Sequence, residues 1–343
     1  MTKTKFRKNK IFFTFKLSEQ VKDLFFSALI LVIMFVIIAN PKLFSSGTIQ
    51  GLSLFFYSVF PGLFPFMLLT KLLTEIGYIF KISNKLDRPA RFLFGTRGIS
   101  LYAFFMSILS GYPIGAQIIG DIYSRGLISK AEAKKMSLFC TTSGPIFIIG
   151  AVGVGMLGSF KLGVIIYASH ILSSIILGII SKFLIRESKD THNFKSNCYS
   201  STKSSNIISS CVSQTINSLL IVGAYITIFY LVSELLIALK VMAFLSNLIS
   251  PILGFFKVTP NFSDGIVYGL IEVTRGCKTL SSIVSTTSVV AICGLISFSG
   301  ISIIMQSMFF LKDAQIKTHN FILGKVVHCL LSILICELIF IIA

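Results

Sequence analysis

Two short stretches place glycine, proline and hydroxyl residues inside segments that are otherwise apolar enough to cross a bilayer. They are Ser110-Gly-Tyr-Pro-Ile-Gly115 and Cys140-Thr-Thr-Ser-Gly-Pro145. A helix broken at such a point frees backbone N–H and C=O groups. Hydrocarbon cannot satisfy these groups, so the break must be buried in protein or line a wet cavity. Because many secondary transporters build substrate sites from broken helices, these stretches predict a solute-binding site.

Helices that restart after these breaks present free N–H groups and a partial positive charge, which favours anions. A third restart is predicted at Ser299-Gly300. Hydroxyl and amide side chains around the breaks suit a small carboxylate or a polar heterocycle. The predicted substrate-binding residues are Ser110, Gly111, Tyr112, Pro113, Gln117, Thr141, Thr142, Ser143, Gly144, Glu272, Thr274, Ser299, Gly300, Ser302 and Gln306.

Glu272 is the most informative single residue of this set. It lies in an apolar segment, where an acid is costly in a membrane and is by default a functional candidate. It could carry a coupling proton or bind a cation. Alternatively, it could form an ion pair with Arg275, three residues later on the same helical face. The breaks also have a simpler interpretation, as kinks or as close helix packing through Gly111 and Gly115.

Composition places the chain in a membrane. Of its 343 residues, 54% are apolar and 13% are charged, whereas soluble domains carry about 25% charged residues. The net charge of +18 comes from basic residues that flank apolar spans, which membrane topology explains better than nucleic-acid binding. The seven cysteines and four histidines show no metal-ligand spacing, so we expect no metal and no cofactor. No catalytic arrangement occurs within the spans, so we expect no enzyme activity.

Charge predicts the topology. Two segments, 99–120 and 264–282, are interrupted by glycine, proline or charge, and we expect them to enter and leave on the same side of the membrane. With a cytoplasmic N-terminus, 25 of the 31 lysines and arginines then lie on the cytoplasmic side, as the positive-inside rule requires. The predicted full spans are 24–39, 50–70, 136–157, 162–184, 207–232, 285–310 and 320–342.

The order of spans and breaks repeats along the chain. The predicted fold is an all-α polytopic membrane protein with two inverted repeats that contain re-entrant or broken helices. Ser143-Gly144 corresponds to Ser299-Gly300, and Gly111 corresponds to Gly276. The predicted parts are a basic cytoplasmic segment (1–22), a first transmembrane span (23–49), repeat one (50–184), a polar cytoplasmic linker (185–206) and repeat two (207–343).

Five motifs give the chain a specific resemblance. They are Val59-Phe-Pro-Gly-Leu-Phe-Pro-Phe66, Leu109-Ser-Gly-Tyr-Pro-Ile-Gly-Ala116, Gly126-Leu-Ile-Ser-Lys-Ala-Glu-Ala133, Leu270-Ile-Glu-Val-Thr-Arg-Gly-Cys277 and the glycine-rich stretch from Ser143 to Gly155. Over roughly 50–342, the chain resembles the YlbJ-type sporulation integral membrane proteins. That family belongs to the nucleoside-recognition Gate-domain group, whose fold is similar to that of concentrative nucleoside transporters.

The resemblance implies a role in spore maturation in an endospore-forming bacterium. It implies a secondary transporter in the cell membrane or the outer forespore membrane that moves dipicolinic acid or a related small anion. Two alternatives stay open, namely a transporter of a nucleoside-like solute and a non-transporting membrane scaffold for spore assembly. The expected partners are the lipid bilayer and the small solute, without nucleic acid; the sequence leaves a homo-oligomer open.

Overall fold

The computed structural model describes residues 19–185, 207–254, 260–283 and 285–342. Within these ranges the chain is helical and contains no strand, as expected. Most of the predicted basic segment and all but the first residue of the predicted linker lie outside the described residues. The chain divides into two compact units, Met1–Ser46 and Gly47–Ala343. Helix α1 (Glu19–Ala39) belongs to the first unit and exposes most of its apolar side chains.

The following helices are α2 (Pro41–Leu54), α3 (Phe60–Glu75), α4 (Tyr78–Phe94), α5 (Ile99–Ser110), α6 (Ile114–Ser124), α7 (Lys130–Phe139), α8 (Phe160–Leu184), α9 (Ile207–Ala238), α10 (Val241–Gly254), α11 (Pro260–Ile271), α12 (Val273–Ser281), α13 (Thr286–Phe298), α14 (Gly300–Phe310) and α15 (Thr318–Ile342). Two segments, Phe55–Val59 and Ile146–Met156, are π-helical. The helix α10 occupies a stretch for which the sequence predicts no full span.

Several helices are built to cross a membrane. Four helical stretches in the described ranges are long and apolar enough to do so, and the number rises to six if each of two sharply bent pairs is one span. Helix α15 shows the pattern: Leu330, Leu334 and Leu338 stay more than half exposed on one face, whereas His328 and Ser332 are fully buried on the other. A helix surrounded by lipid hydrocarbon is expected to turn its leucines to the lipid and its polar groups to the interior of the protein.

The helices are interrupted at the predicted places. Helix α5 ends at Ser110 and α6 begins at Ile114, while Ser299 separates α13 from α14 in a left-handed conformation (φ 81°). In the second half, the break between α11 and α12 falls at Glu272. The predicted correspondence of Gly111 with Gly276 is therefore wrong. Gly276 lies within α12 and allows that helix to contact Gly269, whose Cα would be 2.3 Å from an added Cβ.

The segment 99–120 follows a sharp bend and is itself interrupted. The helical stretch Lys81–Phe94 meets Ile99–Ser110 at an angle of 85°, and within the segment the helix stops at the Gly111–Pro113 turn. An aromatic cluster holds this region in place, because Phe94 stacks on Phe139 with ring centroids 4.3 Å apart and Phe104 packs on its edge. The cluster fixes the positions of α5 and α7. Helix α5 leads into the break at Gly111–Pro113, and α7 leads into the non-helical stretch 140–144, which we call the α7 break.

The two breaks of the first half pass very close to each other. Gly111 has a φ of +87°, and a Cβ added to it would lie 2.6 Å from the backbone nitrogen of Gly144. A Cβ on Gly144 would lie 2.9 Å from the carbonyl oxygen of Ser110. Further along, a Cβ on Gly115 would lie 1.6 Å from the carbonyl oxygen of Cys140. Only glycine permits this approach of backbone to backbone. The glycines of this motif therefore allow close helix packing at the same residues that break the helix.

Charged residues join helices at the end that the sequence predicts to be cytoplasmic. Lys71 on α3 pairs with Asp121 on α6 at 3.1 Å, and Glu75 pairs with Arg125 one turn further along both helices. Behind them, the buried carboxylate of Glu132 accepts hydrogen bonds from three nitrogen atoms of Arg97 and from the backbone nitrogen of Ser129. These contacts tie the loop before α5 to the start of α7.

The Glu132 interaction predicts a pH-dependent loss of stability. Burial raises the pKa of the Glu132 carboxyl, but the hydrogen bonds and charge of Arg97 and the backbone donors lower it further, so that it ends below its usual value. Glu132→Gln should cost about 2 kcal/mol at neutral pH. A carboxyl whose pKa is lowered on folding contributes its full stability above the ordinary carboxyl pKa and loses it as the pH falls towards the folded-state pKa, so the difference from wild type should shrink below about pH 4. Thermal unfolding of the detergent-solubilised chain measures both. The exposed Asp313 offers the control Asp313→Asn, which should change nothing.

The crossing of the two breaks predicts that Gly111→Ala destabilises the fold by about 2–3 kcal/mol, because the new methyl group meets Gly144 and the left-handed backbone disfavours alanine. Gly150→Ala is the matched control, since no heavy atom lies within 4 Å of its added Cβ and it should stay within about 0.5 kcal/mol. Chemical unfolding of both variants measures the difference. Equal stabilities would mean that the breaks are not in close contact.

Candidate functional site

A cavity of about 310 Å³ lies where the interrupted helices meet. It is lined by residues of the α5–α6 break, the α7 break, the α11–α12 break and helix α14. Helix α9 and the region 54–63 also contribute to its wall. Nine of the fifteen predicted site residues are in its wall: Ser110, Gly111, Tyr112, Ser143, Gly144, Glu272, Thr274, Ser302 and Gln306. The structure thus brings predicted breaks from both halves of the chain together around one cavity.

The polar groups of the wall differ in how they are held. Gln306 donates from Nε2 to the Ser302 hydroxyl at 3.2 Å, so these two residues form one amide–hydroxyl pair on α14. Ser143 has its backbone nitrogen bonded at 2.9 Å to Nε2 of His170, and the residue belongs to the cavity wall. The rest of the wall is mostly apolar, as small-molecule pockets are, with a few polar groups that orient the ligand.

The other six predicted residues do not line the cavity; they are Pro113, Gln117, Thr141, Thr142, Ser299 and Gly300. Pro113 precedes the first turn of α6. Thr142 bonds to Ser107 through its hydroxyl at 2.9 Å and its backbone nitrogen at 3.1 Å, which secures the α7 break to α5. Ser299 and Gly300 form the buried turn before α14, and a Cβ on Gly300 would lie 2.9 Å from the carbonyl oxygen of Gly269.

Gln117 belongs to a separate, much smaller space. It donates from Nε2 to the Ser218 hydroxyl at 3.0 Å and shares a gap of about 10 Å³ with Lys71 and Asp121. That volume accommodates no more than a water molecule. Gln117 therefore joins α6 to α9 below the cavity and does not face a solute in this conformation.

Glu272 caps helix α12. Its two carboxylate oxygens accept hydrogen bonds from the backbone nitrogens of Thr274 (3.0 Å) and Arg275 (2.8 Å). The alternative of an ion pair between Glu272 and Arg275 does not occur, because the guanidinium of Arg275 pairs with Glu234 on α9 and lies 4.8 Å from the ring centre of Tyr230. The sequence could not distinguish these arrangements, since the pairing assumes a continuous helix and the helix restarts after Glu272.

Sequence reasoning missed a buried polar network that supports the first-half breaks. His170 on α8 accepts the N–H of Ser143 at Nε2, and its Nδ1 lies 2.8 Å from the Ser297 hydroxyl of α13. His328 on α15 donates from Nε2 to the carbonyl oxygen of His170 at 3.0 Å, with the two rings 4.7 Å apart. Both histidines are fully buried. This network joins three helices to one break.

Lys325 was also missed. Its position near the basic loop before α15 led to its being counted as a cytoplasmic charge, but the structure buries it, leaving 1% of it exposed. Its Nζ donates to the carbonyl oxygen of Thr141 at 2.6 Å and to the hydroxyl of Tyr112 at 3.0 Å. The spacing of Lys325, His328 and Ser332, which share one face of an otherwise apolar helix, is the sequence pattern that could have identified it.

Across the described ranges, no group of three or more histidine, cysteine, aspartate or glutamate side chains is arranged to hold a metal ion. The cavity offers hydroxyls, an amide, one carboxylate and backbone groups, which suit a small organic solute.

Comparison with known proteins supports the resemblance drawn from the motifs. No protein-family model matches the chain. The sequence is 24% identical over 329 residues to the sporulation integral membrane protein YlbJ of Bacillus subtilis (strain 168), and the alignment covers 90% of this chain and 81% of that protein. The predicted resemblance is thereby confirmed.

The fold has a relative among solved structures. A CNTnw variant in an outward-facing state, a concentrative nucleoside transporter, superposes with a TM-score of 0.58 over 94% of this chain and 88% of that one. Sequence identity is 14%, so this likeness concerns the fold. The chain is an integral membrane protein that has the fold of concentrative nucleoside transporters and is similar along nearly its whole length to a YlbJ sporulation integral membrane protein.

Proposed function

We propose that this protein is a secondary transporter that moves a small organic anion across a membrane of a spore-forming bacterium, without a catalytic step. The observation that carries the proposal is the cavity of about 310 Å³, at which breaks from both halves of the chain meet. Broken helices that meet at a common site are the arrangement by which many transporters bind solutes. The fold shared with a concentrative nucleoside transporter supports the same class of function.

We propose dipicolinate, the planar dianion of pyridine-2,6-dicarboxylic acid, as the solute. The cavity lies at the small end of the range for small-molecule sites, about 300 to 1,000 Å³, which suits one substituted ring. Hydroxyls of Ser143 and Ser302 supply hydrogen-bond donors for carboxylate oxygens. The likeness to a sporulation protein and the family resemblance supply the biological setting, with the outer forespore membrane as the proposed location and a cytoplasmic N-terminus.

A nucleoside-like solute is the second candidate. It is favoured by the fold and by the Gln306–Ser302 pair, which can form neutral hydrogen bonds to a base or a sugar. A membrane scaffold without transport is the third, and it assigns no role to the cavity. These candidates differ in which solute is taken up and in whether any solute is taken up at all.

Uptake into vesicles that contain the purified chain tests the proposal. We expect saturable dipicolinate uptake, with a nucleoside as the comparison solute. Ser143→Ala should lower uptake at low substrate concentration by about tenfold, because it removes one hydrogen bond to a charged group and leaves the backbone contact with His170 in place. Ser281→Ala, which alters an exposed hydroxyl far along α12, should behave like wild type.

Glu272→Gln separates capping from ion coupling. The amide keeps one oxygen to cap α12 but cannot carry a proton or attract a cation. If Glu272 couples an ion, downhill exchange of solute should persist while accumulation against a gradient is lost. Absence of uptake of either solute, with both site variants still supporting spore formation, would favour the scaffold. Nucleoside uptake that dipicolinate does not compete with would favour the second candidate.

A further inference from the structure

Lys325 is a basic side chain buried within the membrane-crossing part of the protein. It lies two turns into α15, is 1% exposed, and shares its helix face with His328 and Ser332. A charged side chain at such a position is costly and marks a functional site by default. The sidedness of α15, with leucines on the opposite face, excludes snorkelling of this lysine to the membrane surface from the lipid side.

The neighbours of Lys325 hold its ammonium group without neutralising it. Nζ donates to the oxygens of Thr141 and Tyr112 and lies 4.5 and 5.5 Å from the ring centres of Tyr112 and Phe321. These contacts are dipolar or cation–π in character. Within the described ranges, no carboxylate forms an ion pair with it. A buried charge without a partner of opposite sign is strongly destabilising, so an ammonium at this position is stable only when an anion from outside the protein pairs with it.

The position of this charge relative to the cavity shows what the use is. Tyr112 lies between them, because its hydroxyl accepts from Nζ at 3.0 Å while the residue belongs to the cavity wall together with Ser110 and Ser143. The ammonium therefore stands one side chain behind the wall, in surroundings where its electrostatic field is poorly screened.

Glu272 is not the partner of Lys325. Its carboxylate also borders the cavity, but both oxygens are bonded to backbone N–H groups at the start of α12, where the helix carries a partial positive charge. Arg275 and Glu234 pair with each other. Among the described residues, Lys325 therefore has no carboxylate partner, whereas Arg275 has one.

We propose that Lys325 is the fixed counter-charge that selects anionic solutes in the cavity, and that a planar carboxylate bound beside Tyr112 completes the missing ion pair. The inference rests on the proposed transport function. Lys325 acts through the wall and is thus a specificity-determining residue, whereas Tyr112 is the residue that touches the solute. A neutral solute of the same shape gains nothing from this charge.

Equilibrium binding to the full chain in lipid nanodiscs tests the inference. The probes are pyridine-2,6-dicarboxylate and its uncharged isostere pyridine-2,6-dicarboxamide. Wild type should bind the dicarboxylate about tenfold to a hundredfold more tightly than the dicarboxamide, as expected for one poorly screened charge pair. Lys325→Met, which keeps the length and apolar stem, should abolish this preference and leave dicarboxamide binding unchanged. Lys278→Met removes an exposed lysine in the same way and should keep the preference.

Three outcomes would overturn the inference. One is equal binding of the two probes by wild type, which needs no variant and so holds even if Lys325→Met fails to fold. Another is an unchanged preference in a folded Lys325→Met protein, verified by its unfolding temperature. The third is absence of dicarboxylate binding. In the vesicle assay, dicarboxylate uptake by wild type together with equal binding of the two probes would contradict the role of Lys325 alone. Absence of dicarboxylate uptake would contradict the transport function.

Discussion

The peptide groups freed at the helix breaks must find partners inside the protein, and the rest of the structure follows from this requirement. At the α7 break, the N–H of Thr142 bonds to Ser107, the N–H of Ser143 bonds to His170, and the carbonyl of Thr141 accepts from Lys325. Three different helices therefore supply polar side chains to one irregular stretch. Hydrocarbon offers no such partners, so the break exists only in the middle of the helix assembly.

Because the partners come from α5, α8 and α15, these helices must carry polar residues on the faces that meet and apolar residues elsewhere. The cavity lies next to this junction, and its wall comes from the breaks, from α9 and α14 and from the two π-helical segments. Its wall contains hydroxyls, an amide and a carboxylate from segments whose first task is structural. Ser143 illustrates the overlap, since its backbone nitrogen secures the break and the residue also belongs to the cavity wall. Support and recognition are thus performed by neighbouring atoms of the same residues.

How far the sequence predicts this site depends on the kind of interaction. Glycine and proline within apolar runs have few interpretations, so the breaks at Gly111–Pro113 and Ser299 could be located. The residues on other helices that bond to these breaks could not be predicted, because sequence spacing reveals which residues share a helix face but not which faces meet. Lys325 was counted with the cytoplasmic charges although it falls within the predicted span 320–342, and the alternative partner considered for Glu272, Arg275, assumed a continuous helix. Both errors concern residues whose environment only the packed helices define.

The two π-helical segments add a mechanical property to the cavity. Both contribute to its wall, through Val59 in one and Ile146, Phe147 and Ala151 in the other, and the bonds from Phe60 to Phe55 and from Leu157 to Val152 span five residues. A π-helical turn contains one residue more than an α-helical turn at little cost in hydrogen bonds. When the position of the extra residue shifts along the helix, the side chains between its old and new positions rotate by about 100° around the helix axis. The cavity can thereby exchange one set of lining side chains for another while every helix end stays in place.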